Sequence, residues 1–214
     1  FTPPTIGGAT AATRNIISGN TSGISITGPK LDSNVIKGNY IGTDKTGLVA
    51  VGNAVGITLD AYATDVSIGT NTIGEGNVIS GNSIAGISTG ADHTVNSSFN
   101  TITNNIIGLG ADKTTAVPNA DGIVLYKSDS ISITKNTIAK NSKNGIHLAE
   151  KVGNSTISQN SIYANAELGI DLRSSDGTNV TQAGITLNDA NDADTGANQL
   201  LNFPVISGLT YSGS

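Results

Sequence analysis

The sequence predicts an all-β solenoid of about six stacked coils, and three observations carry that prediction. Asn recurs in pairs five residues apart: Asn15 and Asn20, Asn34 and Asn39, Asn77 and Asn82, Asn100 and Asn105, Asn136 and Asn141, Asn160 and Asn165. Two residues after the first Asn of each pair stands an Ile: Ile17, Ile36, Ile79, Ile102, Ile138 and Ile162. Apolar and polar residues alternate with the period of a strand in Ile24-Ser25-Ile26, Ile57-Thr58-Leu59, Ile146-His147-Leu148 and Ile170-Asp171-Leu172, and no long segment shows helical periodicity.

Each unit ends at a Gly that opens such an alternating run: Gly23, Gly56, Gly86, Gly122, Gly145 and Gly169. A unit of this size holds about three short strands between Asn and Gly corners. It cannot bury its Ile face alone, so units must stack, one coil per repeat. Parallel crossovers are right-handed, which makes the solenoid a right-handed parallel β-helix. Asn at a corner tolerates left-handed backbone and carries both a donor and an acceptor, so stacked Asn amides can bond along the rod as a ladder.

The first coil begins near Thr5-Ile6-Gly7, and Ser67-Ile68-Gly69 repeats it later in the chain. The second and fourth coils carry long excursions, Gly42 to Val55 and Gly108 to Asp121, both containing Asp-Lys-Thr, at Asp44 and Asp112. The larger repeat is therefore a two-coil unit with one long loop, and the two loops are expected to project from the same side about 10 Å apart. Residues 1–176 read as the coils, 177–206 as a C-terminal closing segment packed on the last coil, and 207–214 as the start of a linker or next domain.

Composition agrees with a scaffold. Of 214 residues, 24 are Asn and 27 Gly, only 13% are charged, and Cys, Met and Trp are absent. Disulfides, thiolate metal sites and Cys nucleophiles are thereby excluded, and no apolar run is long enough to span a membrane. With a net charge of −5 and two Arg, Arg14 and Arg173, the chain has no basic face for nucleic acid, its densest cluster being Lys135, Lys140 and Lys143.

The runs from Thr5 to Asn20, Gly38 to Gly47 and Ser67 to Asn82 resemble the right-handed parallel β-helix repeat proteins of bacterial cell surfaces, and Asn188 to Val205 is similar to the segment that closes such arrays. The resemblance implies a β-helix region within a longer, exported, multidomain surface protein, hence an extracellular or cell-surface location. It implies no settled activity.

Two sets of residues are chemical candidates. Asp189, Asn191, Asp192 and Asp194 beside Gly196 offer closely spaced oxygen ligands for a structural Ca²⁺; the competing reading is a solvated acidic turn. The second set lies one residue after each Ile of the alternating runs, at Ser25, Thr58, Ser88, Val124, His147 and Asp171. The later coils add Tyr126, Lys127, Glu150 and Arg173. On such faces pectate lyase-like enzymes hold uronic-acid sugars, so a His147–Asp171 base and an Arg173 clamp are the catalytic candidates, with Tyr126, Lys127 and Glu150 completing a glycan-binding face. Against this, a surface His–Asp pair needs no function, and the carboxylate pair of a glycoside hydrolase is not evident.

The leading expectation is a structural or adhesive module that self-associates end to end through open strand edges. Recognition of an acidic polysaccharide is second, and a polysaccharide lyase, epimerase or hydrolase third.

Overall fold

The computed structural model describes residues 3–28, 33–60, 62–89, 97–149 and 152–172. Within them the chain winds as a parallel β-helix whose coils each place one strand in each of three six-stranded sheets. The first sheet stacks Thr5–Gly7, Val35–Lys37, Ser67–Ile68, Thr101–Thr103, Ser132–Thr134 and Thr156–Ser158. The second stacks Ile16–Ile17, Tyr40–Ile41, Val78–Ile79, Ile106–Ile107, Thr137–Ala139 and Ser161–Tyr163. The third holds the longer strands Ser22–Thr27, Val55–Asp60, Ala85–Thr89, Asp121–Leu125, Ile146–Leu148 and Ile170–Leu172. A small two-stranded sheet, Ser97–Ser98 beside Ser128–Asp129, widens one corner. The only helical turn among the described residues is the 3₁₀ turn Ala11–Thr13.

Strand register follows from the Ile repeat. Ile6, Ile36, Ile68, Ile102, Ile133 and Ile157 stack in the first sheet. Ile17, Ile41, Ile79, Ile107, Ile138 and Ile162 stack in the second. Those columns meet Ile24, Ile57, Ile87, Ile123 and Ile146 of the third inside the coil, forming one continuous core. Slipping any strand by one residue would turn its Ile outward, and each fully buried Ile is worth about 1.5–3 kcal/mol, so the register is strongly selected.

Two Asn ladders run the length of the rod. At the corner between first and second sheets, Asn15, Asn39, Asn77, Asn105, Asn136 and Asn160 are linked amide to carbonyl oxygen over 2.9 to 3.1 Å. At the corner between second and third sheets, Asn20, Asn53, Asn82, Asn119, Asn141 and Asn165 repeat the arrangement over 2.9 to 3.2 Å. Each Oδ1 also accepts the backbone N–H of the preceding rung, as Asn77 Oδ1 does from Asn39 at 3.0 Å.

These rungs correct the pairing expected from spacing. Asn34 and Asn100 belong to neither ladder. They turn the third corner, into the first sheet, where Asn100 Oδ1 accepts the Val66 N–H at 2.8 Å and its Nδ2 donates to the Ala63 carbonyl. Ile36 and Ile102 accordingly lie in the first sheet, while Ile17, Ile79, Ile138 and Ile162 lie in the second. A short strand between two turns occupies five residues at either place, so the same Asn-to-Asn step describes two different corners. In the looped coils the second-corner rungs are Asn53 and Asn119, near the ends of the excursions.

The Gly at the start of each of the first five third-sheet strands is required by close approach. A Cβ on Gly145 would stand 2.6 Å from the Gly169 carbonyl oxygen and 2.8 Å from Asn165 Nδ2. The glycine row thus leaves room for the second ladder to lie against the next coil.

The long loops leave the second sheet and return at Asn53 and Asn119. Each is closed by an antiparallel bridge, Thr43 with Ala50 and Leu109 with Ala116. They do not stand apart: the Ala111 N–H donates to the Gly47 carbonyl at 3.0 Å. The intervening coil turns tightly through Ser80, Gly81 and Asn82, and the loops fold across the space it leaves.

Candidate functional site

The third sheet places the outward candidates in one row. Ser25, Thr58, Ser88, Val124, His147 and Asp171 are consecutive partners along the stack. Alternation dictates this, because Ile146 and Leu148 point into the core and leave His147 on the opposite face. The row changes character along the rod. Ser25 is exposed and Thr58 half-buried, whereas Ser88, Val124, His147 and Asp171 are buried.

His147 and Asp171 are brought together as the spacing required. His147 Nε2 lies 4.0 Å from Asp171 Oδ2, with the side chains 6% and 1% exposed. The Tyr126 ring stands edge-on to the imidazole, centroids 6.3 Å apart and planes at 62°. Burial matters to the chemistry. At 4.0 Å the imidazole and carboxylate are neighbours beyond hydrogen-bond distance, and a base that meets a substrate must be reachable. A buried His–Asp pair flanked by Val124 and Tyr126 can tie the last two third-sheet strands together through side chains as well as backbone. Lys127, next to Tyr126, is half-buried at a turn with φ of 37°.

Arg173 and Glu150 lie outside the described residues, as do Asp189, Asn191, Asp192 and Asp194. Among the described residues no group of three or more His, Asp or Glu side chains could hold a metal ion, and no helix is long and apolar enough to cross a membrane.

The loop carboxylates, by contrast, are fully engaged locally. Asp44 Oδ1 accepts the Thr46 hydroxyl at 2.7 Å and the N–H groups of Thr46, Leu48 and Val49. Asp112 accepts the Thr115 hydroxyl at 2.6 Å and the N–H groups of Thr114 and Thr115. In both, the Thr hydroxyl leads the effects that hold the carboxyl below its ordinary value of 3.8. The repeated Asp-Lys-Thr is therefore a loop-closing device.

Sequence spacing missed a polar recess between Lys113 and Lys135. The signal present, two Lys in a lysine-poor chain, does not show that they meet. Of the expected basic cluster, Lys135 and Lys140 fall at opposite ends of the strand Thr137–Ala139 and so at different corners.

No curated protein and no solved structure matches the chain. The family described as a right-handed beta helix region matches residues 113–202. With three parallel sheets stacked in register, the described residues have the fold of a right-handed parallel β-helix.

Proposed function

We propose that the chain is a structural and adhesive module, a stiff β-helix rod of a bacterial extracellular or cell-surface protein that presents its two long loops as one ridge. The observation that supports this reading most is the pair of Asn ladders beside the continuous Ile core, whose repeated interactions resist bending and fraying at every coil. The joined loops supply a large departure from that regularity, and they expose Val49 and Val51 at 58% and 46%. In the same reading the acidic run Asp189 to Asp194 binds Ca²⁺ structurally, and rods associate end to end.

The test is adhesion under flow. Beads carrying the chain should be retained on a bacterial or polysaccharide surface, and a variant with both loops replaced by short turns should lose retention while keeping its melting temperature. Retention that is unchanged by loop replacement sinks the adhesive part. Sedimentation across a concentration series tests end-to-end association, and a monomer at all concentrations refutes it.

Recognition of an acidic glycan across the third sheet is the second reading, favoured by the Tyr126 ring beside Lys127 at the edge of the His147 group. A glycan array with no acidic-sugar signal removes it. Lyase, epimerase or hydrolase chemistry at His147 is disfavoured by its burial. Assays for unsaturated or reducing-end products on pectin and alginate address that third reading.

A further inference from the structure

Lys113 stands in the second long loop and Lys135 at the corner before Thr137–Ala139. Residues far apart in sequence thus border one recess of about 150 Å³, whose other walls include Gly74, Gly76, Asn104 and Thr137. Its shape is held by bonds from both sides. Asn104 Nδ2 donates to the carbonyls of Thr70 and Thr72, pinning the preceding coil's corner to its own. Lys135 Nζ donates to Asn71 Oδ1 at 3.0 Å, which keeps that ammonium at the rim. At Gly76 a Cβ would collide with the Asn104 carbonyl oxygen, so close backbone approach forms part of the wall.

The charges at this recess are not balanced locally. The two carboxylates nearest in sequence are committed elsewhere: Asp112 to Thr114 and Thr115 of its own loop, and Glu75 to Lys37 at 2.7 Å and Thr70 at 2.6 Å. Among the described residues neither Lys113 nor Lys135 forms an ion pair. Two cations thus converge on a small polar hollow in a chain whose net charge is −5.

We propose that this recess binds one oxyanion, the carboxylate or sulfate group of an acidic saccharide. Its volume is below that of pockets enclosing whole small molecules, so it admits a single charged group while the remainder of the ligand lies across the outer surface. Ammonium groups bind oxyanions through short charge-assisted hydrogen bonds. The hydroxyl of Thr137 and the peptide groups of Gly74 and Gly76 offer the neutral hydrogen bonding that sugar hydroxyls take up. A densely charged polymer is opposed by the overall negative charge and by the absence of any Arg at the rim; an isolated acid group among hydroxyls is not. The site is separate from the His147 group and does not depend on the adhesive reading.

The experiment is a titration of the full chain at low ionic strength, followed by amide shifts in NMR. The probes are trigalacturonate, its methyl ester, a sulfated trisaccharide and inorganic phosphate. Saturable shifts at Gly74, Gly76 and Asn104 with trigalacturonate or the sulfated trisaccharide, absent with the ester, are expected, and whichever acid responds identifies the group. Lys113→Gln and Lys135→Gln should each weaken binding about tenfold, equivalent to ~1.4 kcal/mol, whereas Lys140→Gln, the same charge change at another corner, should not. The proposal is overturned if neither acidic saccharide produces saturable shifts, if phosphate alone does, or if Lys140→Gln weakens binding as much as the rim variants.

Discussion

Asn105 gives both its backbone N–H and its side-chain amide to one atom, Asn136 Oδ1, at 2.9 and 3.0 Å. Its Nδ2 also reaches the Ile68 carbonyl at 2.8 Å, and its own Oδ1 takes the same two donors from Asn77. A single buried side chain thus satisfies polar groups on three successive coils. Asn105→Ala strands them, and an unmet buried group costs about 1–3 kcal/mol. Several are left here, so the expected loss is about 3 kcal/mol in denaturant unfolding. Asn105→Asp keeps the shape but replaces the donor with a buried acid, so it should lose more stability at neutral pH than below pH 4. A loss under about 0.5 kcal/mol for Asn105→Ala would show that the ladder is not a structural element.

The inner Ile columns should be equally sensitive. Ile107 is fully buried between Ile79 and Ile138. Ile107→Val should cost about 0.5–1.5 kcal/mol and Ile107→Ala about 2–5 kcal/mol. Ile16, outward on the same face of the rod and 44% exposed, should tolerate Ala nearly unchanged. Equal effects at Ile107 and Ile16 in thermal or chemical unfolding would contradict the register.

Acid should loosen the loop ridge. The Thr46 hydroxyl holds Asp44 low and the Thr115 hydroxyl holds Asp112 low, while the Lys37 ammonium leads in lowering Glu75 from its ordinary 4.5. A carboxyl whose pKa is lower in the folded chain stabilises it fully above the unfolded value, and that contribution is lost as pH falls through the folded one. Melting temperature is therefore expected to be flat above about pH 5 and to fall below it. The Asp44→Asn, Asp112→Asn double variant should show a shallower fall. A slope identical to that of the parent chain would refute the assignment to these loops.

His147 and Asp171 are expected to matter for stability. Removing a buried polar group from beside its neighbour costs about 1–3 kcal/mol, so Asp171→Ala should lower stability on that scale. Glycan binding, if measured with the same variant at a temperature where it remains folded, should stay unchanged. Lost binding without lost stability would return this pair to the list of ligand contacts.

Calcium supplies an independent check on the acidic run from Asp189 to Asp194. Binding only to the folded chain raises stability with free calcium concentration, so melting temperature should rise in millimolar Ca²⁺ and drop with a chelator. Asp192→Asn with Asp194→Asn should abolish the difference. No calcium response in the parent chain removes the metal.

The Asn and Ile spacing by itself determined the fold class, the number of coils and the partnership of His147 with Asp171, because a stacked repeat converts sequence period directly into spatial register. Which Asn shares a corner with which was beyond it. Asn34 to Asn39 spans a strand of the first sheet, Asn77 to Asn82 spans one of the second, and only the third dimension distinguishes them. Burial was equally hidden: alternation places His147 outward, but outward on a strand is not the same as exposed, and the pair is covered. The contact of Gly47 with Ala111 and the meeting of Lys113 with Lys135 depend on how loops fold over neighbouring coils. No periodicity encodes that, since irregular segments are placed by the surface they land on rather than by the repeat that launches them.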